Sequence, residues 1–217
     1  MKYQIIENFL DPEFAAEIAS SIYSAKGEDW KHYYQFGGDA APFYFENTIA
    51  NLSVIVEAQQ KLGQSLQDGH FTYRLKRLDR CVELFCSCAL CKFKKNMLSE
   101  RSFLDYIGQL SSKENLELVE AFASVYYHGD FLSIHPDPNF DVAFILNLSK
   151  DWKYEYGGCL TVFDEENEHP RVILPKYNSL VLLYLGEKGV DHYISEVSSL
   201  APHSRIAVSG WFNAPEK

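Results

Sequence analysis

The spacing of apolar residues along the chain changes near residue 120. Before that point, apolar residues recur every three or four positions, which is typical of amphipathic helices. The clearest such signal begins at Asp11, a residue type that caps helix N-termini, continues with Pro12 at the first helical position, and ends at Gly27. The same spacing predicts further helices over about 49–65, 76–93, 99–110 and 113–122.

Beyond residue 120, the chain divides into short segments rich in β-branched and aromatic residues, which favour strands. The segments read FASVYY, DVAFILNL, CLTVF, RVIL, SLVLLYL, HYISEV and RIAVSGWF, and turn residues separate them. Many short strands with little helix between them indicate a sandwich or jelly roll. We therefore predict one α+β domain over residues 1–217, in which a mainly helical half (1–120) packs against a β core (121–217).

An aromatic stretch, DWKHYYQFGGDAAPFYFEN, lies between the first two predicted helices. Its rings surround the pair Gly37 and Gly38. Such a segment is either a lid or substrate-binding loop, or an irregular segment that lays aromatic rings on the core. The sequence leaves both interpretations open.

Composition and charge argue against some classes of partner and location for this protein. The chain is 47% hydrophobic and 15% aromatic, which is ample for a packed core, and its net charge is -10. A chain this acidic is a poor general binder of nucleic acid or of anionic membranes, so we expect neither as a partner. We find no secretion signal and no apolar run of membrane-spanning length, and therefore expect a cytoplasmic protein. The oligomeric state stays open.

Two local clusters carry alternative interpretations. The chain has five cysteines, an odd count that argues against a disulfide framework. Four of them, Cys81, Cys86, Cys88 and Cys91, are close enough in sequence to hold zinc, or they are small residues of a packed helix. The basic residues of the range 74–95 indicate a solvated helix face or, alternatively, a surface for an acidic partner.

The strand-like segment that contains His135 and Asp137 carries the strongest chemical signal. Residues two apart on a strand share a face, so both side chains can bind one metal ion. Two histidines and one carboxylate form the facial triad that holds Fe(II). His192 is the best candidate for the third ligand, because it opens a predicted strand, whereas the remaining histidines lie in loops, turns or the helical half. Arg205 begins an otherwise apolar strand, where a buried guanidinium needs a carboxylate partner.

These residues occur within five ordered blocks: YYHGDFLSIHPD, FILNLSKDW, YGGCLTVF, PKYNSLVLLYL and HYISEV followed by SRIAVSGWF. Through them, residues 121–213 resemble the iron(II)- and 2-oxoglutarate-dependent oxygenases of the prolyl hydroxylase type. The last block is especially similar to ribosomal-protein prolyl hydroxylases. The resemblance implies a double-stranded β-helix, or jelly roll, as the β core.

The resemblance also implies roles for particular residues. His135, Asp137 and His192 would be the catalytic iron ligands, and Arg205 the anchor for the distal carboxylate of 2-oxoglutarate. The further co-substrate and wall positions would be Tyr127, Asn147, Ser209 and Trp211. Asn147 stands where some relatives have a tyrosine, which puts one co-substrate contact in doubt. The implied cofactors are Fe(II) and 2-oxoglutarate, with O2 as the oxidant and ascorbate in support.

Three functions are compatible with these residues. The first is a dioxygenase that hydroxylates a prolyl residue in a protein or peptide. The second is a hydroxylase of a small molecule, such as a free amino acid or a natural-product intermediate. The third is a non-catalytic metal-binding protein on a jelly-roll scaffold. The carboxylate of Asp137 favours hydroxylation over halogenation, since halogenating relatives lack it.

Overall fold

The computed structural model describes residues 2–26, 29–37, 43–46, 52–78, 86–163 and 169–215. Within these ranges the α-helices are α1 (Pro12–Tyr23), α2 (Leu52–Gln67), α3 (Ala89–Lys92) and α4 (Arg101–Ser111). The strands are β1 (Tyr3–Ile6), β2 (Trp30–Gln35), β3 (Phe43–Glu46), β4 (Tyr73–Leu78), β5 (Glu117–Tyr126), β6 (Phe131–His135), β7 (Val142–Asn147), β8 (Leu160–Val162), β9 (Arg171–Ile173), β10 (Ser179–Tyr184), β11 (His192–Ile194) and β12 (Arg205–Asn213). A π-helical turn, Phe93–Met97, follows α3.

Helix α1 forms where the sequence predicts it. The carboxylate of Asp11 accepts hydrogen bonds from the backbone N–H groups of Glu13 and Phe14, which satisfies donors that the helix itself leaves unpaired. The helix ends at Tyr23, four residues before the predicted stop at Gly27. Helices α2 and α4 confirm the helical spacing of the sequence around them.

Two of the predicted helices are wrong. The range 76–93 contains the end of strand β4 and the short helix α3, and the range 113–122 contains the first half of strand β5. In β4 the buried positions are Leu75 and Leu78, three residues apart, which imitates the spacing of a helix. Pairing with neighbouring strands on both edges of β4 overrides that local pattern.

The strands form one curled antiparallel sheet with the order β1-β10-β7-β12-β5-β4-β6-β11-β8-β9, and β2 and β3 extend it from β4. The sheet therefore includes strands from both the first 120 residues and the rest of the chain. Side chains alternate between its two faces, as β7 illustrates. Phe144 and Leu146 pack on the outer face in a core shared with α1, α3 and α4, whereas Ala143 and Ile145 belong to a second core inside the curl.

The aromatic stretch forms the antiparallel pair β2 and β3. Tyr34 is buried against helix α2, and the ring of Tyr33 stacks on Tyr44 with 5.4 Å between centroids. The described residues of this stretch are thus regular strands rather than an irregular segment. Residues 38–42, where a lid would turn, lie outside the described residues.

In the described part of the chain, no helix combines the length and the apolar character needed to cross a bilayer.

Candidate active site

Two neighbouring strands bring the predicted metal ligands together. His135 at the end of β6 and His192 at the start of β11 are direct register partners. Asp137 lies two residues beyond His135. One ligand atom from each of the three side chains lies within 4.8 Å of the others. The Oδ atoms of Asp137 are 3.5 Å from Nε2 of His135 and 3.8 Å from Nε2 of His192.

The backbone fixes how both imidazole rings face Asp137. Nδ1 of His135 lies 2.9 Å from the carbonyl oxygen of Ser133, and Nδ1 of His192 lies 2.7 Å from that of Val190. Both contacts suit the tautomer in which Nδ1–H donates to the carbonyl, so each Nε2 keeps its lone pair for a metal. Burial of His192, with the nearby ring of His135, lowers its pKa to about 4, which keeps the imidazole neutral and able to bind a metal.

Asp137 is oriented from the opposite wall. Its backbone has φ +51°, a left-handed conformation that aspartate tolerates better than most residues. The indole Nε1–H of Trp211 donates to Oδ2 of Asp137 over 2.9 Å. The Trp211 ring itself stacks on Phe140, with 4.8 Å between centroids. Oδ2, which Trp211 holds, therefore faces His192, and Oδ1 faces His135.

The three residues line a cavity of about 270 Å³ inside the curled sheet. Its wall is mostly apolar and aromatic, and it includes the rings of Phe71, Tyr73, Phe122, Phe140 and Trp211. Because few polar side chains face this space, each of them is a candidate for fixing a ligand.

Arg205 is a fully buried cation of this cavity. It is 1% exposed, and one Nη2–H donates to Oδ1 of Asn147 over 3.3 Å. Its guanidinium carbon lies 4.9 Å from the centre of the Tyr126 ring, and Nε has no hydrogen-bond partner among the described residues. Burial lowers the pKa of Arg205, which expresses the cost of keeping its charge out of water. A buried guanidinium with few hydrogen-bond partners can bind an anion through two parallel N–H groups.

The tyrosine that faces Arg205 is Tyr126, whereas Tyr127, which the resemblance implies as a co-substrate contact, is not among the residues that line the cavity. Tyr126 is the register partner of Arg205 on neighbouring strands, so both side chains face the cavity. Tyr127 points the other way and is 43% exposed, with the Lys76 ammonium 4.2 Å from its ring centre. Burial raises the pKa of Tyr126 to about 12, so its phenol stays protonated and can donate a hydrogen bond.

The remaining predicted positions divide into two groups. Ser209 and Trp211 line the cavity, because they alternate with Arg205 on one face of β12. Asn147 is not among the lining residues, but it contacts Arg205 through Oδ1 and Ser179 through Nδ2. Asn147 therefore acts on the cavity by positioning the guanidinium.

Sequence reasoning missed Arg77, which also lines the cavity. The predicted solvated helix face is wrong at this point, since Arg77 lies on strand β4. Its guanidinium carbon is 3.7 Å from the centre of the Phe122 ring and 5.0 Å from that of Tyr33, and it forms an ion pair with Glu120. In the sequence TYRLKRL, Tyr73 and Arg77 are an even number of residues apart, so on a strand both would lie on the same face. That spacing could have indicated the position of Arg77.

Comparison with known proteins identifies the part of the chain that carries this geometry. Residues 121–213 match the 2OG-Fe(II) oxygenase superfamily. The similarity therefore extends over the whole β region that carries the site. The matched residues include every member of the His-Asp-His cluster and Arg205. For this family, Fe(II) and 2-oxoglutarate are the expected cofactors.

Two curated proteins that are similar to part of this chain are prolyl 3-hydroxylases by name. Sudestada1 of Drosophila melanogaster is 33% identical over 111 residues, which cover 45% of this chain and 20% of the relative. OGFOD1 of Mus musculus is 31% identical over 128 residues, or 54% of this chain and 23% of the relative. The match spans about a fifth of the length of these relatives. The predicted resemblance to the prolyl hydroxylase type is confirmed.

A solved structure confirms the fold. A Trichoplax adhaerens prolyl hydroxylase, in complex with a peptide fragment of the hypoxia inducible factor oxygen degradation domain, superimposes with a TM-score of 0.59. The alignment covers 98% of this chain and 83% of that chain at 16% identity. The predicted α+β jelly roll, with helices packed against a β core, is therefore correct. At this identity the likeness concerns the fold alone.

Proposed function

We propose that this protein is an Fe(II)- and 2-oxoglutarate-dependent dioxygenase that hydroxylates a prolyl residue in a protein or peptide. The observation that carries the proposal is the set of side chains that line one cavity. It combines three atoms able to bind a metal with a buried guanidinium whose Nε–H has no partner in the described part of the chain. A divalent metal and a dicarboxylate together satisfy both features.

The cluster fits a divalent metal such as Fe(II). Neighbouring donors around an octahedral ion with bonds of about 2.1 Å lie about 3 Å apart. The Nε2–Oδ distances of 3.5 and 3.8 Å are close to that spacing. His135, Asp137 and His192 would hold the metal on one side and leave other coordination positions open. Bound iron with 2-oxoglutarate supplies dioxygen activation coupled to decarboxylation of 2-oxoglutarate to succinate.

Arg205 would bind the distal carboxylate of 2-oxoglutarate. Charge-assisted hydrogen bonds of this type are worth about 1.5–3 kcal/mol each. The carboxylate would also satisfy Nε, which has no partner among the described residues. Asn147 would hold the guanidinium fork in place, and Tyr126 and Ser209 would be the adjacent hydroxyl donors of the same wall.

The aromatic wall supports a prolyl substrate. The rings of Phe122, Phe140 and Trp211 offer flat apolar surface for a pyrrolidine ring, and they exclude water from the C–H bond that reacts. Both curated relatives are prolyl 3-hydroxylases by name, so C3 is the position we propose. The peptide complex of the Trichoplax enzyme supports a polypeptide rather than free proline as substrate.

The proposal includes two further conditions. The reaction would take place in the cytoplasm, where 2-oxoglutarate is available and thiols stay reduced. Ascorbate would sustain turnover by keeping the metal in the ferrous state.

The test is succinate formation from 2-oxoglutarate by purified protein with Fe(II), ascorbate and oxygen. We expect turnover that prolyl peptides stimulate, with hydroxyproline detected by mass spectrometry and its position assigned by NMR. The double variant His135→Ala, Asp137→Ala should form no succinate. His169→Ala is the matched control, because that histidine is exposed and outside the cavity.

Two results would contradict the proposal. Equal succinate formation by the double variant would remove the metal cluster from the reaction. Stimulation by free amino acids or other small molecules, with none by prolyl peptides, would keep the oxygenase and replace the substrate.

A further inference from the structure

A second cluster of metal-binding side chains lies outside the oxygenase region. Sγ atoms of Cys86, Cys88 and Cys91 all lie within 4.8 Å of one another. The three residues are thiols rather than parts of a disulfide. They precede and enter helix α3, far along the chain from the His-Asp-His cluster at 135–192. Three converging thiols are a donor set that no step of the proposed oxygenase reaction uses.

The spacing of the sulfurs suits a tetrahedral thiolate site. Zinc binds thiolates at about 2.3 Å, which places two sulfurs of a tetrahedral site about 3.8 Å apart. The observed limit of 4.8 Å requires only small side-chain rotations to reach that distance. One N–H already points at the cluster, since the backbone of Cys91 donates to Sγ of Cys88 over 3.4 Å. A hydrogen bond to sulfur favours the thiolate over the thiol.

The surroundings suit a structural metal rather than an exposed one. Cys91 is 1% exposed, and Ala89, Leu90 and Phe93 beside it are buried in the core shared with α1. Helix α3 has only four residues before the π-helical turn, and Cys86 and Cys88 precede it in a stretch that forms neither helix nor strand. A metal that joins Cys86 to Cys91 would fix the segment where secondary structure does not.

The charge of the segment also suits bound zinc. Each thiol that binds Zn²⁺ releases its proton to solvent, so three thiolates and one zinc ion carry a net charge of −1. Lys92, Lys94 and Lys95 follow Cys91 in the chain and supply positive charge to an otherwise acidic protein. These lysines lie close to the cysteines along the chain, and their positive charge therefore lowers the electrostatic cost of an anionic site.

We propose that Cys86, Cys88 and Cys91 bind a structural zinc ion. The site is independent of the proposed oxygenase reaction and uses none of its residues. The fourth position would be taken by solvent or by a further side chain. Cys81, which the sequence groups with these three cysteines, lies outside the described residues and is not part of the proposed site.

The test measures zinc in tag-free protein that also carries His135→Ala, Asp137→Ala and His192→Ala, so that the other cluster cannot contribute. We expect about one zinc per chain by mass spectrometry of the metal. A mercurial that blocks thiols should release this zinc to a metal-sensing dye. Replacement by Co²⁺ should give the thiolate-to-metal charge-transfer absorption. The mercurial and cobalt measurements need no cysteine variant, so they remain decisive if a variant fails to fold.

Substitutions then assign the ligands. Cys88→Ser and Cys91→Ser should each lose most of the zinc, whereas Cys159→Ser should keep it, since that buried thiol lies outside the cluster. No zinc in the triple variant, zinc that survives Cys88→Ser, or air oxidation of these thiols to a disulfide without metal release would each overturn the proposal.

Discussion

Arg205→Met has opposite expected effects on stability and on co-substrate binding. The guanidinium is 1% exposed, it has one hydrogen bond of 3.3 Å to Asn147, and Nε has no partner among the described residues. A buried charge with so few partners carries an uncompensated desolvation cost, and an apolar replacement of similar length is often neutral or stabilising by about 1–4 kcal/mol. Without co-substrate, we therefore expect the free energy of unfolding to stay unchanged or to rise.

The same substitution should nearly abolish the binding of 2-oxoglutarate. Two charge-assisted hydrogen bonds to the distal carboxylate are worth about 3–6 kcal/mol together. Since a change of about 1.4 kcal/mol alters a dissociation constant tenfold, the Kd should rise by at least about a hundredfold. Arg205→Lys, which keeps the charge but loses the planar fork, should fall between the two proteins.

Unfolding measured without oxygen, with Mn²⁺ in place of iron, reports both effects. At about 1,000 times its Kd, a ligand stabilises the folded protein by about 4.1 kcal/mol, and after a hundredfold loss of affinity the same concentration adds about 1.4 kcal/mol. Arg171→Met is the control, because Arg171 is exposed on β9.

Two outcomes would refute this reasoning. Full stabilisation of Arg205→Met by 2-oxoglutarate would mean that the guanidinium does not anchor the co-substrate. A loss of several kcal/mol in the protein without co-substrate would mean that Arg205 is well paired before any ligand binds.

Three further predictions concern the cavity and its frame. Trp211→Phe removes the N–H that holds Asp137, so metal affinity measured by titration should fall about 10–100-fold while circular dichroism stays unchanged; equal affinity would contradict the proposed orienting role. Gly210→Ala should destabilise the protein in denaturant titrations, because the new Cβ would lie 2.0 Å from a backbone oxygen of the neighbouring strand. Gly63→Ala on α2 is the control: its Cβ would have nothing within 4 Å, and the substitution should raise the free energy of unfolding by up to about 1 kcal/mol. Burial raises the pKa of Tyr126 from 10.0 to about 12, so the folded state keeps a proton that the unfolded state loses, and stability falls as pH rises from 10 to 12. In Tyr126→Phe that fall should be smaller by about 3 kcal/mol.

The three candidate metal ligands could be selected from the sequence because two local patterns point to them. His135 and Asp137 are two residues apart beside a strand, and His192 begins a strand. Neither pattern shows that the strands of His135 and His192 are neighbours, and only the resemblance to a family implied that these residues meet. The β core could also be predicted from the sequence, since its strands are short, apolar and separated by turn residues.

The errors arise where tertiary contacts decide between similar local patterns. In the pair Tyr126 and Tyr127, sequence alone gives no indication of which ring faces the cavity, because the choice depends on the register of β5 against β12. Arg77 was assigned to a helix because buried residues around it are three apart. Its real position depends on strands that pair with β4 from distant parts of the chain.

The direct pairing of His135 with His192 links metal binding to the correctness of folding. These residues are 57 positions apart, and β11, which carries His192, has three residues. A shift of one residue in the β6–β11 ladder would turn one imidazole to the opposite face and separate the ligands. The proposed iron would bind only the correctly aligned chain, and by binding it would stabilise that register over shifted ones.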